Sequence, residues 1–168
     1  MGAVMKKLMI ILLMMIPVIS TAAWVTNAED SIFDEKAATM LGQLSQGSAV
    51  MLECKGDDLY IYYIEEDRNT DTESFKGNVT LLLKIDDNKP IEFNAKISRR
   101  NNEFVQVTSN ESAGILNVLD ELRKAKKRFM VGLTIKGTDY RMSWSGDVYN
   151  STAATKKFIQ SCAINYQF

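Results

Sequence analysis

Across most of this 168-residue chain, apolar residues recur at every second position in successive segments, and that period points to antiparallel β-structure with one buried face. Ser48 to Cys54 (SAVMLEC) and Leu59 to Ile64 (LYIYYI) flank Lys55-Gly56-Asp57-Asp58, whose Gly and Asp favour a tight hairpin turn. Asn78 to Ile85 and Ile91 to Ile97 flank the turn Asp86 to Pro90, and Glu103 to Thr108 follows another polar turn at Ser98 to Asn102. Phe129 to Ile135 pairs with Tyr140 to Ser145 across Lys136-Gly137-Thr138-Asp139. Upstream, the mixed pattern from Trp24 to about Gly47 predicts an edge strand and a second short strand around Ala37 to Leu41. Glu65 to Ser74 reads as a polar loop.

Two segments change period. Between Ser112 and Lys127, residues Ala113, Leu116, Val118, Leu119, Leu122 and Ala125 recur at spacings of three and four, which predicts one amphipathic helix. The basic cluster Arg123 to Arg128 completes its C-terminus, where cations oppose the macrodipole. Ser151 to Cys162 predicts a closing helix, with Asn150 or Ser151 as N-cap and Ala154, Phe158, Ile159 and Cys162 on one side. The tail Ala163 to Phe168 is expected to add a short strand. The sum is an α+β domain, mainly an antiparallel sheet or sandwich with two helices, undivided by any Pro/Gly/Ser linker.

The one long apolar run lies outside that pattern. Lys6 and Lys7 precede Leu8 to Ile19, and Ser20, Thr21, Ala22 and Ala23 are the small residues a signal peptidase requires. The run is about half of the roughly 20 residues that span a bilayer, and Pro17 interrupts it. Residues 1–23 therefore read as a signal peptide cleaved after Ala22 or Ala23, and 24–168 as one exported domain, periplasmic or secreted, with no membrane span after cleavage. Loss of Lys6 and Lys7 moves the formal charge from −1 to −3, and no long basic run remains to engage nucleic acid. In that compartment the two cysteines, Cys54 and Cys162, read as an intramolecular disulfide.

The chain has no histidine, which excludes Ser-His-Asp and Cys-His catalysis and imidazole-based zinc sites. Phosphate loops, dinucleotide-binding glycine motifs and serine elbows are missing too. Carboxylates crowd one loop at Glu65, Glu66, Asp67, Asp71 and Glu73, and Asp86 with Asp87 sits in a turn. Neither group has the spacing of a calcium loop or of carboxylates held across a glycosidase cleft. The expectation is a non-enzyme without cofactor or metal. Tyr60, Tyr62 and Tyr63 form an aromatic run in which alternation puts Tyr60 and Tyr62 on one face and Tyr63 on the other. These tyrosines and Trp24 are the candidate partner-binding residues, with packing on the core the competing reading for the tyrosine pair; Trp24, beside the cleavage site, is either buried as an anchoring plug or exposed for a partner, and Trp144 reads as core. Sequons at Asn78, Asn110 and Asn150 are taken as coincidental.

The order of several landmarks carries a resemblance. Trp24 is followed by Ser31-Ile32-Phe33-Asp34, Leu52-Glu53-Cys54, Lys84-Ile85-Asp86, a helix ending in Ala125-Lys126-Lys127, Ser145-Gly146 and a helix closing on Ser161-Cys162. In that order the chain resembles VasI-like periplasmic proteins associated with type VI secretion over most of Trp24 to Ile164, although it lacks their additional cysteine-bearing N-terminal segment. The resemblance implies an accessory or protein-binding role, with another envelope protein as partner and no catalytic residues to transfer. The alternative expectation is an inhibitor or immunity protein acting on a cell-envelope enzyme.

Overall fold

The structure, a computed structural model, describes residues 23–29, 36–73, 75 and 77–165. Residues 1–22 of the expected signal peptide 1–23, the Ser31 to Asp34 landmark and the end of the tail lie outside the described residues. Among the described residues, nine strands run Trp24–Glu29 (β1), Ala37–Ser45 (β2), Ser48–Lys55 (β3), Asp58–Glu66 (β4), Val79–Ile85 (β5), Ile91–Arg99 (β6), Phe104–Ser109 (β7), Arg128–Ile135 (β8) and Arg141–Asp147 (β9). Helix α1 spans Ser112–Lys124 and α2 spans Ser151–Ser161. All nine strands join one antiparallel sheet in the order β1-β2-β3-β4-β7-β6-β5-β8-β9, so the α+β class holds as a single sheet rather than a sandwich.

Local chemistry sets the turns. Lys55 pairs with Asp58 across Gly56, which sits at φ +60, a left-handed conformation that favours glycine. The strand after Lys36 is longer than its apolar points predict, because pairing with β3 carries it to Ser45 with a register shift between Gln43 and Ser45. Among the described tail residues, 163–165, no strand forms.

The sheet curls into a half-barrel, and β9 approaches β2 closely at Gly146. A Cβ there would fall 2.3 Å from the Phe129 ring and 2.6 Å from the Gln43 carbonyl oxygen, so only a bare Cα lets the two ends of the sheet come together. Hydrogen bonds from the segment after β9 tie this seam: the Trp24 N–H donates to the Tyr149 carbonyl (3.2 Å), its indole Nε1 to the Asp147 carbonyl (3.0 Å), and the Asn150 amide to the Trp24 carbonyl (2.8 Å).

The helices fill the concave side. Helix α1 buries Ile115, Val118, Leu119 and Leu122, while Ala113, expected on that stripe, is exposed. It ends at Lys124 rather than Lys127, because Ala125 turns extended and the Lys126, Lys127 and Arg128 N–H groups donate to the Asp86 carboxylate at 2.8–3.2 Å. Helix α2 buries Ala154, Thr155 and Phe158 against β1, β2 and α1, and Thr26 Oγ1 donates to the Ala154 carbonyl at 2.7 Å. Its N-cap is Asn150, but that side chain serves Trp24 rather than the helix. The Ser151 and Thr152 hydroxyls instead donate to the Leu122 and Arg123 carbonyls, both at 2.9 Å, so the start of α2 satisfies the end of α1. The expected disulfide joins Cys54 on β3 to Cys162 just after α2, with Cα atoms 6.0 Å apart. No described helix is long and apolar enough to cross a membrane.

Asp86 gives a pH-dependent prediction. Burial opposes its ionisation, but the three backbone N–H groups outweigh that and hold its carboxyl below the ordinary value of 3.8. A carboxyl depressed on folding stabilises fully above its unfolded pKa, and the contribution is lost as pH falls through the folded one. Asp86→Asn should therefore destabilise the protein at pH 7, and the gap in unfolding midpoint from wild type should narrow below pH 4. Chemical denaturation at pH 7 and pH 2.5 checks this; a gap that widens in acid overturns it.

Candidate functional site

Cross-strand register builds the outer face of the curl. Val25 pairs with Leu41, Leu41 with Met51, Met51 with Tyr62 and Tyr62 with Thr108. Directly paired residues share a face, so this is one row across β1, β2, β3, β4 and β7 on the convex side. Its two ends differ. Met51 and Tyr62 are 5 % and 7 % exposed, whereas Val25 and Leu41, on the edge strand and its neighbour, are 42 % and 38 % exposed. Apolar area left open beside a tyrosine pair is the arrangement that interface cores use.

The tyrosines are held in place. Tyr60 and Tyr62 stack with ring centroids 6.1 Å apart, the Tyr62 hydroxyl donates to Glu53 Oε2 at 2.7 Å, and the Arg100 guanidinium lies 5.7 Å from the Tyr62 ring centroid. Burial, reinforced by the Glu53 carboxylate, pushes the Tyr62 hydroxyl well above the ordinary tyrosine pKa, so it stays a neutral donor.

The other two candidates point inward. Trp24 is fully buried, its ring edge-on to Phe129 at a centroid distance of 4.8 Å. Tyr63 is 1 % exposed and packs on Trp144 at 4.5 Å, with Trp144 itself half-buried against the core. Burial, with Glu65 close by, raises the Tyr63 hydroxyl pKa. The structure thus brings Tyr60 and Tyr62 to one surface and takes Trp24 and Tyr63 from it. Val25, Leu41 and Met51 complete that surface; their outward register is readable from alternation once the strands are aligned, but single apolar side chains on mixed strands carry no signal of exposure.

The carboxylates make a different site. A surface cleft is lined by Ser45–Ser48 and Glu65–Asn69. Asp67 accepts from the Asn69 and Thr70 N–H groups and the Thr70 hydroxyl at 2.6–2.8 Å; the Thr70 contacts, foremost its hydroxyl, hold the Asp67 carboxyl down to about 2. Arg99 clamps the Asp67 carbonyl through both guanidinium nitrogens (2.7 and 2.6 Å), and Arg68 bridges Glu66 and Glu103. Asp86 and Asp87 are spent on the α1–β8 connection, Asp87 pairing with Lys127. Among the described residues no group of three His, Cys, Asp or Glu side chains is arranged to hold a metal ion.

Comparison with known proteins leaves this geometry to speak for itself: no family model matches the chain, and no curated protein or solved structure matches it significantly.

Proposed function

We propose that the chain is an exported, non-catalytic protein-binding domain of the bacterial envelope, and that it docks another envelope protein on the convex face of β1–β4. The observation that carries this reading is the contiguous row of Val25, Leu41, Met51 and Tyr62, open to solvent at one end and anchored by the hydrogen-bonded Tyr62 at the other. The buried Cys54–Cys162 disulfide supports an oxidising compartment such as the periplasm, or secretion. The landmark order supports an accessory role alongside type VI secretion, and deletion of the gene with measurement of effector release tests that role directly.

Leu41→Glu introduces a charge on an exposed strand position. It should leave the unfolding temperature within about 2 °C, since surface substitutions act weakly. It should also abolish site-specific crosslinking of the envelope partner from a photoreactive residue at Val25 or Tyr60. Equal crosslinking by wild type and Leu41→Glu would sink the assignment of this face.

One observation favours a second reading, an inhibitor of a cell-wall enzyme. The Glu66–Asn69 bend is braced by the Asp67 and Arg99 bonds before any partner arrives, and inhibitory loops gain affinity from such preorganisation. Assays of lysozyme and amidase with excess protein decide it, with inhibition relieved by Arg99→Ala as the supporting outcome.

A further inference from the structure

The first strand starts one residue after the small-residue segment, and the bonds at that junction distinguish the two cuts that the sequence leaves open. The Ala23 carbonyl accepts from the Gln43 N–H at 3.0 Å, continuing the β1–β2 ladder beyond Trp24. The Trp24 N–H donates to the Tyr149 carbonyl, and the residue is fully buried. Ala23, in contrast, is half-buried and lines an open cleft with Gln43, Ser145, Gly146 and Asp147.

These contacts set different demands on the new α-amino group. A cut after Ala23 would remove the acceptor of the Gln43 N–H and place an ammonium on a residue with no exposed surface, where charge is costly. A cut after Ala22 keeps the Ala23 carbonyl in the ladder and leaves the ammonium at the cleft, in contact with water. It also places Ala22 and Ser20 at the last and third-last positions of the leader, both small as the peptidase requires.

We propose that the mature protein begins at Ala23: water, delivered by the exporting cell's signal peptidase, hydrolyses the Ala22–Ala23 amide, so that Ala22 leaves as a carboxylate and Ala23 gains the ammonium. Ala23 then acts as the outermost ladder residue of β1, covering the Gln43 N–H at the seam where β2 meets β9. The proposal rests on the export reading of residues 1–22, and one experiment separates the two.

The full chain is expressed with its own leader, and the periplasmic and cytoplasmic fractions are examined by intact mass under non-reducing conditions. A periplasmic species with Ala23 first is the expected result. A species beginning at Trp24 overturns the cut while leaving export intact, and an uncleaved chain confined to the cytoplasm overturns export itself. In parallel, chains starting at Ala23 and at Trp24 are produced with the disulfide formed and heated. The Trp24 form should unfold about 3–8 °C lower, as loss of a buried hydrogen bond and burial of a charge imply. Equal midpoints would remove the structural reason for the preference. Gln43→Pro, which deletes the donor, serves as the control, since in its background the two starts should differ less.

Discussion

Replacing Cys54 and Cys162 together by Ala should lower stability by about 2–5 kcal/mol, the usual loss when a small domain forfeits a native disulfide. The bridge closes a loop across 108 residues of sequence separation, long enough for the chain-entropy picture to put the contribution near the upper end, at about 4–5 kcal/mol. For a domain of about 150 residues each kcal/mol corresponds to roughly 2–4 °C, so a loss of about 4–5 kcal/mol should move thermal unfolding down by about 8–20 °C. Reductant should reproduce the shift in wild type and have no effect on the double variant. The loss should appear first in α2: besides the bridge, that helix is held by Thr26, Ser151 and Thr152 and by the packing of Phe158. Hydrogen exchange that rises uniformly over the sheet, with α2 unchanged, would contradict this account of what the staple secures.

The second large effect belongs to Trp24. Truncation to Ala removes the largest fully buried side chain, opens a void against Phe129 and Gly42, and strands the Asp147 carbonyl, a change expected to cost about 3–5 kcal/mol. Trp24→Phe keeps most of the volume and loses the indole donor, so it should cost less, about 1–2 kcal/mol. Denaturant titration of the pair checks both. If Trp24→Ala costs no more than Trp24→Phe, the ring is not the packing centre that its burial indicates. A converse substitution, Gly42→Ala, adds a Cβ 2.4 Å from the same ring and should destabilise by forcing the indole outward.

The strands, both helices and the disulfide were legible in the sequence, because each rests on a period or a compartment that local residues declare. Val79, Leu81, Leu83 and Ile85 alternate inward as their spacing requires, and Cys54 had only one possible intramolecular partner. What stayed hidden depends on pairs far apart in the chain. Gly146 reads as an ordinary strand-end glycine until β2 is brought against it. Asp86 reads as a turn residue, yet it takes the N–H groups of residues 40 and more positions away, and that contact shortens α1 at Lys124. The site was half legible for the same reason. Alternation separated Tyr63 from Tyr60 and Tyr62, but no periodicity tells which face curls inward, and the burial of Trp24 follows from the curl.

The way the two ends of the sheet are fastened also sets a timetable. Trp24 bonds to residues 147, 149 and 150, Thr26 to Ala154, Cys54 to Cys162, and the last carbonyls of α1 wait for Ser151 and Thr152. The hairpins β2–β3, β3–β4 and β5–β6 can form early from neighbouring sequence. The barrel seam and the packing of α2 cannot, because their closing contacts are contributed by the final twenty-odd residues. Loop-closure entropy therefore accumulates before the contacts that repay it, and folding should be slow for a chain of this length. On the proposed export reading, with the N-terminus leading, the inner face of the first strand would stay uncovered until the last helix has crossed.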